Sequence, residues 1–294
     1  MTRVQDQITF IFSPGTGCYY PQLSKYCNHV EFNSPFNSDK LVKLQHPRCC
    51  PVIGSDYYIV QYPEIDVETP FVSPVHYMFI RHLSLWQGKY TPHPLYCNFV
   101  RMTRFNLSQD DDIEALNKCY EKCMKEKKNG KPLVMYGSSR GASTMITWYS
   151  KYKNTIKGID ALVLEGCPSS IDDICDYSPN WVNLCRKALL SSFTQYSDIG
   201  IKPVDCLLDL PKNIPIYFIA SVKDEIVPYE CSEKMVKILR DNGYSNIRLI
   251  TLKEAPHSGY ITHNSEDRCV YHDALQELYK QLLSKDGVKS VEVS

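Results

Sequence analysis

The sequence lacks a long apolar run: none of its 294 residues fall in a stretch of about 18 apolar residues, the length that spans a bilayer. Its first residues, Met1–Gln7, lack the apolar core of a secretory signal peptide. A charge excess is absent too, because 33 Lys and Arg residues balance 33 Asp and Glu residues. Proteins that bind nucleic acid or anionic membranes usually carry a basic excess. We therefore predict a cytoplasmic protein with no nucleic-acid partner and no membrane span.

Internal repeats, low-complexity tracts and paired cysteine spacings are also missing. The 13 cysteines are odd in number and scattered along the chain, which predicts reduced thiols and not a disulfide scaffold. Two groups leave zinc as an alternative. Cys119 and Cys123 lie one turn apart on a predicted helix and are better explained as inward-packed small residues, whereas His46, Cys49 and Cys50 lack a second ligand pair. We predict neither a metal nor an organic cofactor.

Six short β-rich runs alternate with helical patterns along the chain. This alternation is typical of a mainly parallel sheet covered by helices, and each run is short enough to be a buried strand. The predicted strands are Ile8–Phe12, Tyr57–Gln61, Leu133–Tyr136, Ala161–Leu164, Ile216–Ala220 and Ile247–Leu252. The sequence therefore predicts an α/β fold in a single domain over residues 1–294.

Capped or amphipathic segments lie between these runs and predict the helices. The predicted helices are Pro74–Gln87, Asp110–Lys128, Gly141–Tyr152, Glu230–Asp241 and Tyr271–Leu283. The acids Asp110, Asp111 and Asp112 match the positive end of a helix dipole and are assigned to capping. Two excursions, 66–104 and 167–213, interrupt the alternation; the second is predicted to be a small helical cap or lid. Residues 285–294 are predicted to form a polar tail.

The strongest motif is Gly137-Ser138-Ser139-Arg140-Gly141, a Gly-x-Ser-x-Gly pattern between a buried strand and an amphipathic helix. On a sharp, strained turn at this point a serine hydroxyl stands clear of the sheet, and a glycine two residues to each side leaves room for strand and helix. The spacing selects Ser139, not Ser138, as the nucleophile. The alternative is an ordinary strand-to-helix turn, but the flanking strand and helix favour a nucleophile elbow.

A serine nucleophile needs a base, and the base needs a carboxylate that fixes its tautomer. Asp224 lies in the turn after the fifth strand and is interpreted as this acid; it could instead cap the next helix, with Asp172 and Asp173 as reserve acids. His257 follows the last strand and is interpreted as the base, the alternative being a structural loop histidine. The order Ser, Asp, His is typical of one hydrolase fold. No role is assigned to His76, His82, His93 and His272.

Three segments, Gly-Ser-Ser-Arg-Gly-Ala, Ser-Val-Lys-Asp-Glu-Ile-Val-Pro and Ala-Pro-His-Ser-Gly, together resemble the triad-bearing segments of the α/β-hydrolase superfamily. The resemblance covers roughly residues 133–283. It implies an eight-stranded-type sheet with helices on both faces and a serine nucleophile. It also implies hydrolysis of an ester, thioester or amide, with carboxylesterase- or lipase-like action on a small-molecule or acyl substrate favoured.

That family places an oxyanion loop after an early strand, often beginning with His-Gly, whereas here the first strand leads into Ser-Pro-Gly-Thr-Gly at 13–17. Gly15 or Thr16 is predicted to offer one backbone N–H to the oxyanion, and Arg140 at the helix start the second. A phosphate loop is excluded because the Gly-Lys-Ser/Thr ending is absent. The remaining alternatives are a peptidase or acyltransferase with the same triad, or a non-catalytic binding or scaffold protein that retains the fold.

Overall fold

The protein folds around one parallel sheet. The computed structural model describes residues 8–13, 15, 56–60, 110–127, 130–177, 201–257, 260 and 264–289. The strands in these ranges are β1 Thr9–Ser13, β2 Asp56–Ile59, β3 Leu133–Ser138, β4 Ala161–Glu165, β5 Ile216–Ser221 and β6 Ile247–Leu252. Their order is β2-β1-β3-β4-β5-β6, and every neighbouring pair is parallel. All six lie where the sequence predicts a strand, and the α/β fold is confirmed.

The central strands are buried on both faces, which explains why their sequences are continuous apolar runs and do not alternate with polar residues. Every residue of β1, β3, β4 and β5 is buried. Strand β6 ends the sheet in the described part of the chain and exposes Arg248 and Thr251. A sheet of this kind is stable only when helices cover both of its faces.

The helices lie largely where the sequence predicts them. They are α1 Asp110–Glu126, α2 Arg140–Tyr152, α3 Ile171–Tyr177, α4 Tyr229–Asp241 and α5 Ser265–Lys289, with a 3-10 helix at Pro203–Asp209. Helix α3 and the 3-10 helix lie within the segment 167–213 that is predicted to be a cap. The predicted helix Pro74–Gln87, the excursion 66–104 and residues 178–200 lie outside the described residues.

Helix α5 is longer than predicted at both ends. It begins before the predicted start at Tyr271 and continues to Lys289, beyond the predicted end at Leu283. The added turn contains no proline, and the single Gly287 is tolerated inside a helix at about 1 kcal/mol relative to alanine. No helix in the described ranges is both long and apolar enough to cross a membrane.

Among the described residues, two large hydrophobic clusters fill the space between the sheet and the helices. Met135 and Tyr136, neighbours in β3, belong to different clusters, because successive side chains of a strand point to opposite faces. The first cluster packs α1, α2 and α4 against the sheet, and it includes Cys119 and Cys123. These two cysteines therefore pack inward as the helical spacing predicts. The second cluster packs α5 against the other face.

The strand order reverses between β1 and β3, since β2 lies on one side of β1 and the later strands follow on the other. In open α/β sheets, ligands bind beyond the carboxyl ends of the strands at such a reversal. Ser13 of β1 pairs in register with Gly137 of β3, so the segments that follow these two strands start side by side. Asp224 and His257 follow β5 and β6 at the same edge.

Candidate active site

Ser139 occupies a sharp turn between β3 and α2. Its backbone has φ 53° and ψ −120°, and it is the one non-glycine residue with positive φ in the described part of the chain. Such a conformation costs about 1–3 kcal/mol and persists only when its surroundings enforce it. The Ser139 N–H donates to the Glu165 carbonyl at 2.7 Å, and its own carbonyl accepts from Ala142 N–H at 3.0 Å. The backbone thus has the strain expected of a nucleophile elbow.

Two glycines allow the chain to pack this closely around the serine. A Cβ atom on Gly137 would lie 2.6 Å from Ala142 Cα and 2.7 Å from Ala142 N, so only glycine lets α2 start this close to β3. A Cβ atom on Gly15 would lie 3.0 Å from Ser139 Cβ. The backbone of Gly15 therefore lies close to the predicted nucleophile.

Three side chains from three different loops meet at this edge of the sheet. His257 Nε2 lies 3.0 Å from Ser139 Oγ, and His257 Nδ1 lies 2.7 Å from Asp224 Oδ2. The histidine side chain is 10% exposed and that of Asp224 is fully buried. The structure thus brings Ser139, His257 and Asp224 into one hydrogen-bonded chain, in the order that activation of a serine hydroxyl requires.

Asp224 is held by hydrogen bonds to both of its carboxylate oxygens. Oδ1 accepts the backbone N–H groups of Ile226 at 2.9 Å and Val227 at 2.8 Å, while Oδ2 accepts the Tyr260 hydroxyl at 2.5 Å as well as His257. Burial raises the pKa of Asp224, but His257 and these hydrogen bonds outweigh burial and lower the pKa below its usual range. The carboxylate is therefore ionised at neutral pH, which favours the histidine tautomer that carries its proton on Nδ1.

The two interpretations of Asp224 in the sequence are compatible in the structure. Oδ1 satisfies two backbone N–H groups just before α4, as a capping residue would, and Oδ2 faces the histidine. The reserve acids are engaged elsewhere: Asp173 binds Lys234 Nζ at 2.8 Å and Asp172 binds Lys202 Nζ at 2.8 Å. The structure brings neither of them to His257.

The predicted oxyanion residues adjoin the serine to the extent that they are described. Arg140 is the first residue of α2, Gly15 contacts the serine from the β1 side, and Thr16 lies outside the described residues. The Arg140 side chain is buried and paired with Asp112, with Nε and Nη2 at 2.7 and 2.6 Å from Oδ2. Asp112 lies in the first turn of α1, where the sequence predicts it, and its carboxylate is in addition buried against the residue next to the nucleophile.

A further buried carboxylate, that of Glu165, lies beneath the serine and was missed by the sequence analysis. Glu165 ends β4 and accepts the hydroxyls of Tyr136 at 2.6 Å and Tyr271 at 2.9 Å, and these two hydroxyls also contact each other. Ser138 Oγ points toward the same carboxylate, 3.5 Å from Oε1. The neighbouring serines thus face different partners, Ser138 toward Glu165 and Ser139 toward His257. The sequence did contain a signal for this site, because Glu165 is an acidic residue at the end of an otherwise apolar strand.

The parallel sheet, the strained serine after β3 and the strand-end positions of Asp224 and His257 define the α/β-hydrolase fold. No protein-family model matches the chain, and neither does any curated protein. Among solved structures, the chain is similar to an acylaminoacyl peptidase of Pyrococcus horikoshii, with TM-score 0.59, 11% identity, and coverage of 96% of this chain and 38% of that one.

Two further structures share the fold. A putative dienelactone hydrolase of Klebsiella pneumoniae has TM-score 0.52 and 11% identity over 93% of this chain and 86% of its own. A puromycin-hydrolyzing peptidase of Mycobacterium tuberculosis has TM-score 0.52 and 11% identity over 94% of this chain and 34% of its own. The present chain thus spans only about a third of the length of these two peptidases. The likeness establishes the α/β-hydrolase fold.

Proposed function

We propose that the protein is a serine hydrolase that cleaves an ester, thioester or amide through an acyl-enzyme. The observation that carries the proposal is the position of His257, whose ring joins Ser139 Oγ at 3.0 Å to Asp224 Oδ2 at 2.7 Å. Strain at the serine and burial of the acid add support, since both are expected where a side chain is held ready to react. The names of the similar structures, two peptidases and a putative dienelactone hydrolase, also agree with hydrolysis.

The reaction begins when Ser139 Oγ attacks the substrate carbonyl carbon while His257 Nε2 takes the hydroxyl proton. Asp224 stabilises the imidazolium. The tetrahedral intermediate then collapses, the bond to the leaving group breaks, and the imidazolium returns the proton to that group. Water attacks the resulting acyl-enzyme, again giving its proton to His257, and the acid leaves as Ser139 recovers its proton. Side chains of the protein supply each proton transfer, so the reaction requires no cofactor or metal.

The oxyanion of the intermediate is proposed to bind between the two segments that contact the serine. Backbone N–H groups of Arg140 on one side and of Gly15 or Thr16 on the other are the proposed donors. The burial of the Arg140 side chain against Asp112 supports this assignment, because it fixes the start of α2. A preorganised donor of this kind contributes about a hundredfold in rate.

The proposed substrate is a small ester or other acyl compound, and the proposed location is the cytoplasm. None of the seven described cysteines takes part in a disulfide, which agrees with a reducing compartment. Peptidases and acyltransferases use the same three residues. Comparing nitrophenyl esters with nitroanilides, with and without an added alcohol acceptor, separates these activities by their products.

The test compares two neighbouring serines. A fluorophosphonate probe should label the wild type and the Ser138→Ala control, but not Ser139→Ala. Hydrolysis of a nitrophenyl ester should fall at least about a thousandfold in Ser139→Ala, because the nucleophile is lost. Equal labelling of wild type and Ser139→Ala would overturn the proposal. A folded wild type that neither reacts with the probe nor turns over any ester would instead favour a binding or scaffold protein.

A further inference from the structure

We propose that Tyr260 is a positioning residue of the triad, whose hydroxyl holds the Asp224 carboxylate and moderates its pull on His257. This inference rests on the proposed hydrolase function. The Tyr260 hydroxyl donates to Asp224 Oδ2 at 2.5 Å, and the same oxygen accepts His257 Nδ1 at 2.7 Å. One carboxylate oxygen is therefore shared between the histidine and a neutral donor.

His257 and Tyr260, the two donors to Asp224 Oδ2, lie in one short segment of the chain. Tyr260 follows His257 by three residues and is 1% exposed, so its hydroxyl is sheltered from water. With Ile226 and Val227 on Oδ1, the carboxylate of Asp224 accepts four donors, about the number it has sites for. It cannot rotate without losing at least one of these hydrogen bonds. Tyr260 thereby contributes to the fixed orientation of the group that orients the base.

The backbone at Gly166 packs against Tyr260 and His257 and leaves these two side chains little room to move. A Cβ atom on Gly166 would lie 3.2 Å from the Tyr260 hydroxyl and 3.3 Å from His257 Cε1. Gly166 has φ +51°, a backbone conformation that glycine adopts without penalty. The turn after β4 therefore packs its bare backbone against both the base and the tyrosine.

Burial and the nearby negative charges keep the Tyr260 hydroxyl protonated, so it acts as a hydrogen-bond donor. Within the described ranges, the ionisable groups that face it are Asp224 from the loop after β5, His257 from its own loop and Glu165 from the end of β4. Burial raises the pKa of Tyr260 well above its usual range, and the negative charges of Asp224 and Glu165 raise it further. The hydroxyl keeps its proton throughout the pH range in which the enzyme would be assayed.

The Tyr260 hydroxyl should also affect how the activity depends on pH. A donor on Oδ2 disperses negative charge that would otherwise stabilise the imidazolium. Without it, more of the negative charge on Oδ2 faces His257, and Tyr260 no longer fixes the orientation of the carboxylate. Removal of the hydroxyl should therefore move the acidic limb of the kcat/KM profile upward by about 0.5–1 pH unit, together with a fall in kcat of about tenfold.

The experiment replaces single hydroxyl groups in the full chain. Tyr260→Phe should lower kcat, leave KM nearly unchanged and shift the acidic limb upward. Tyr244→Phe is the matched control, because Tyr244 is also buried and, in the described part of the chain, its hydroxyl donates to backbone carbonyls alone, those of Leu208 at 2.9 Å and Leu210 at 2.8 Å. The control should keep the wild-type pH profile and kcat.

A second replacement tests the same hydroxyl in the opposite direction. 3-Fluorotyrosine at position 260 is a stronger donor than tyrosine, so it should move the acidic limb to lower pH than in the wild type. A wild-type kcat and pH profile in Tyr260→Phe, with Ser139 still labelled by fluorophosphonate, would overturn the positioning role and leave the hydrolase proposal intact. Absence of Ser139 labelling in the wild type would overturn the hydrolase proposal itself.

Discussion

At the scale of single residues, the position of His257 depends on a carboxylate that takes no part in the proposed reaction. Asp267 in the first turn of α5 accepts the backbone N–H groups of Lys253 at 2.8 Å and Glu254 at 2.9 Å. Its own N–H donates to the Asn264 side chain at 2.7 Å, as expected for an N-cap residue just before the helix. One side chain thus ties the start of the histidine loop to the start of the last helix.

Replacement of Asp267 by Asn should reduce stability in a pH-dependent way. Burial raises the pKa of Asp267, but hydrogen bonds from the N–H groups of Lys253, Glu254 and Ala255 outweigh burial and lower it. A carboxylate with a lowered folded pKa stabilises the fold above its unfolded pKa, near 3.8, and this contribution disappears as the pH falls through the folded pKa. We expect a loss of about 1–2 kcal/mol at pH 7.

The measurement is urea unfolding of wild type and Asp267→Asn at several pH values. The difference between the two should shrink progressively below about pH 4. A difference that is the same at pH 7 and pH 3 would show that the charge of Asp267 does not hold the loop. Wild-type stability of the variant at pH 7 would contradict the prediction as well.

At the scale of elements, α1 and α2 are joined by two ion pairs in opposite surroundings. The Arg140 and Asp112 side chains are 3% and 0% exposed, whereas those of Lys151 and Asp110 are 40% and 89% exposed. Breaking a buried pair leaves an uncompensated charge in the interior, while water replaces the partner of an exposed charge. The buried pair also lies next to the nucleophile, so the start of α2 and the elbow are anchored together.

Asp112→Asn should therefore destabilise the protein by about 3–5 kcal/mol. The matched control, Asp110→Asn, removes the same charge from the same helix and should change stability by no more than about 1 kcal/mol. Urea or thermal unfolding measures both. Equal losses in the two variants would mean that burial of the first pair has no energetic consequence.

At the scale of the whole molecule, packing on one face of the sheet is linked to the site. Among the described helices, α5 covers the second face, and it begins where Asp267 holds the histidine loop. The buried side chains of α5 in this cluster are Tyr271, Ala274, Leu275, Leu278, Tyr279 and Leu282. Tyr271 also reaches Glu165 beneath the serine. The packing of α5 against the sheet should therefore affect both the stability of the fold and the geometry of the triad.

Leu278→Ala should destabilise the protein by about 2–5 kcal/mol, because Leu278 is fully buried and its removal leaves a cavity between helix and sheet. Leu208→Ala makes the same change at an exposed position and should stay within about 0.5 kcal/mol of wild type. Thermal unfolding compares the two. Indistinguishable melting temperatures would contradict the assigned packing of α5.

The strands and the three central site residues could be predicted from the sequence because their signals are local. Runs such as Ala161–Leu164 are apolar throughout, which is the sequence pattern expected of a strand that is buried on both faces. Ser139, Asp224 and His257 each lie just after such a run, and parallel strands bring their carboxyl ends to one edge. The motif, the strand-end positions and the order along the chain were thus enough to select side chains that meet in space.

The supporting side chains were decided by the tertiary structure. Asp110 and Asp112 are two residues apart and chemically identical, yet one is exposed and the other is buried against Arg140, 28 residues away. Tyr260 meets Asp224 across 36 residues of sequence and Tyr271 meets Glu165 across 106. A local pattern carries no information about such partners, because burial and pairing of a polar group depend on which distant segments the sheet brings beside it.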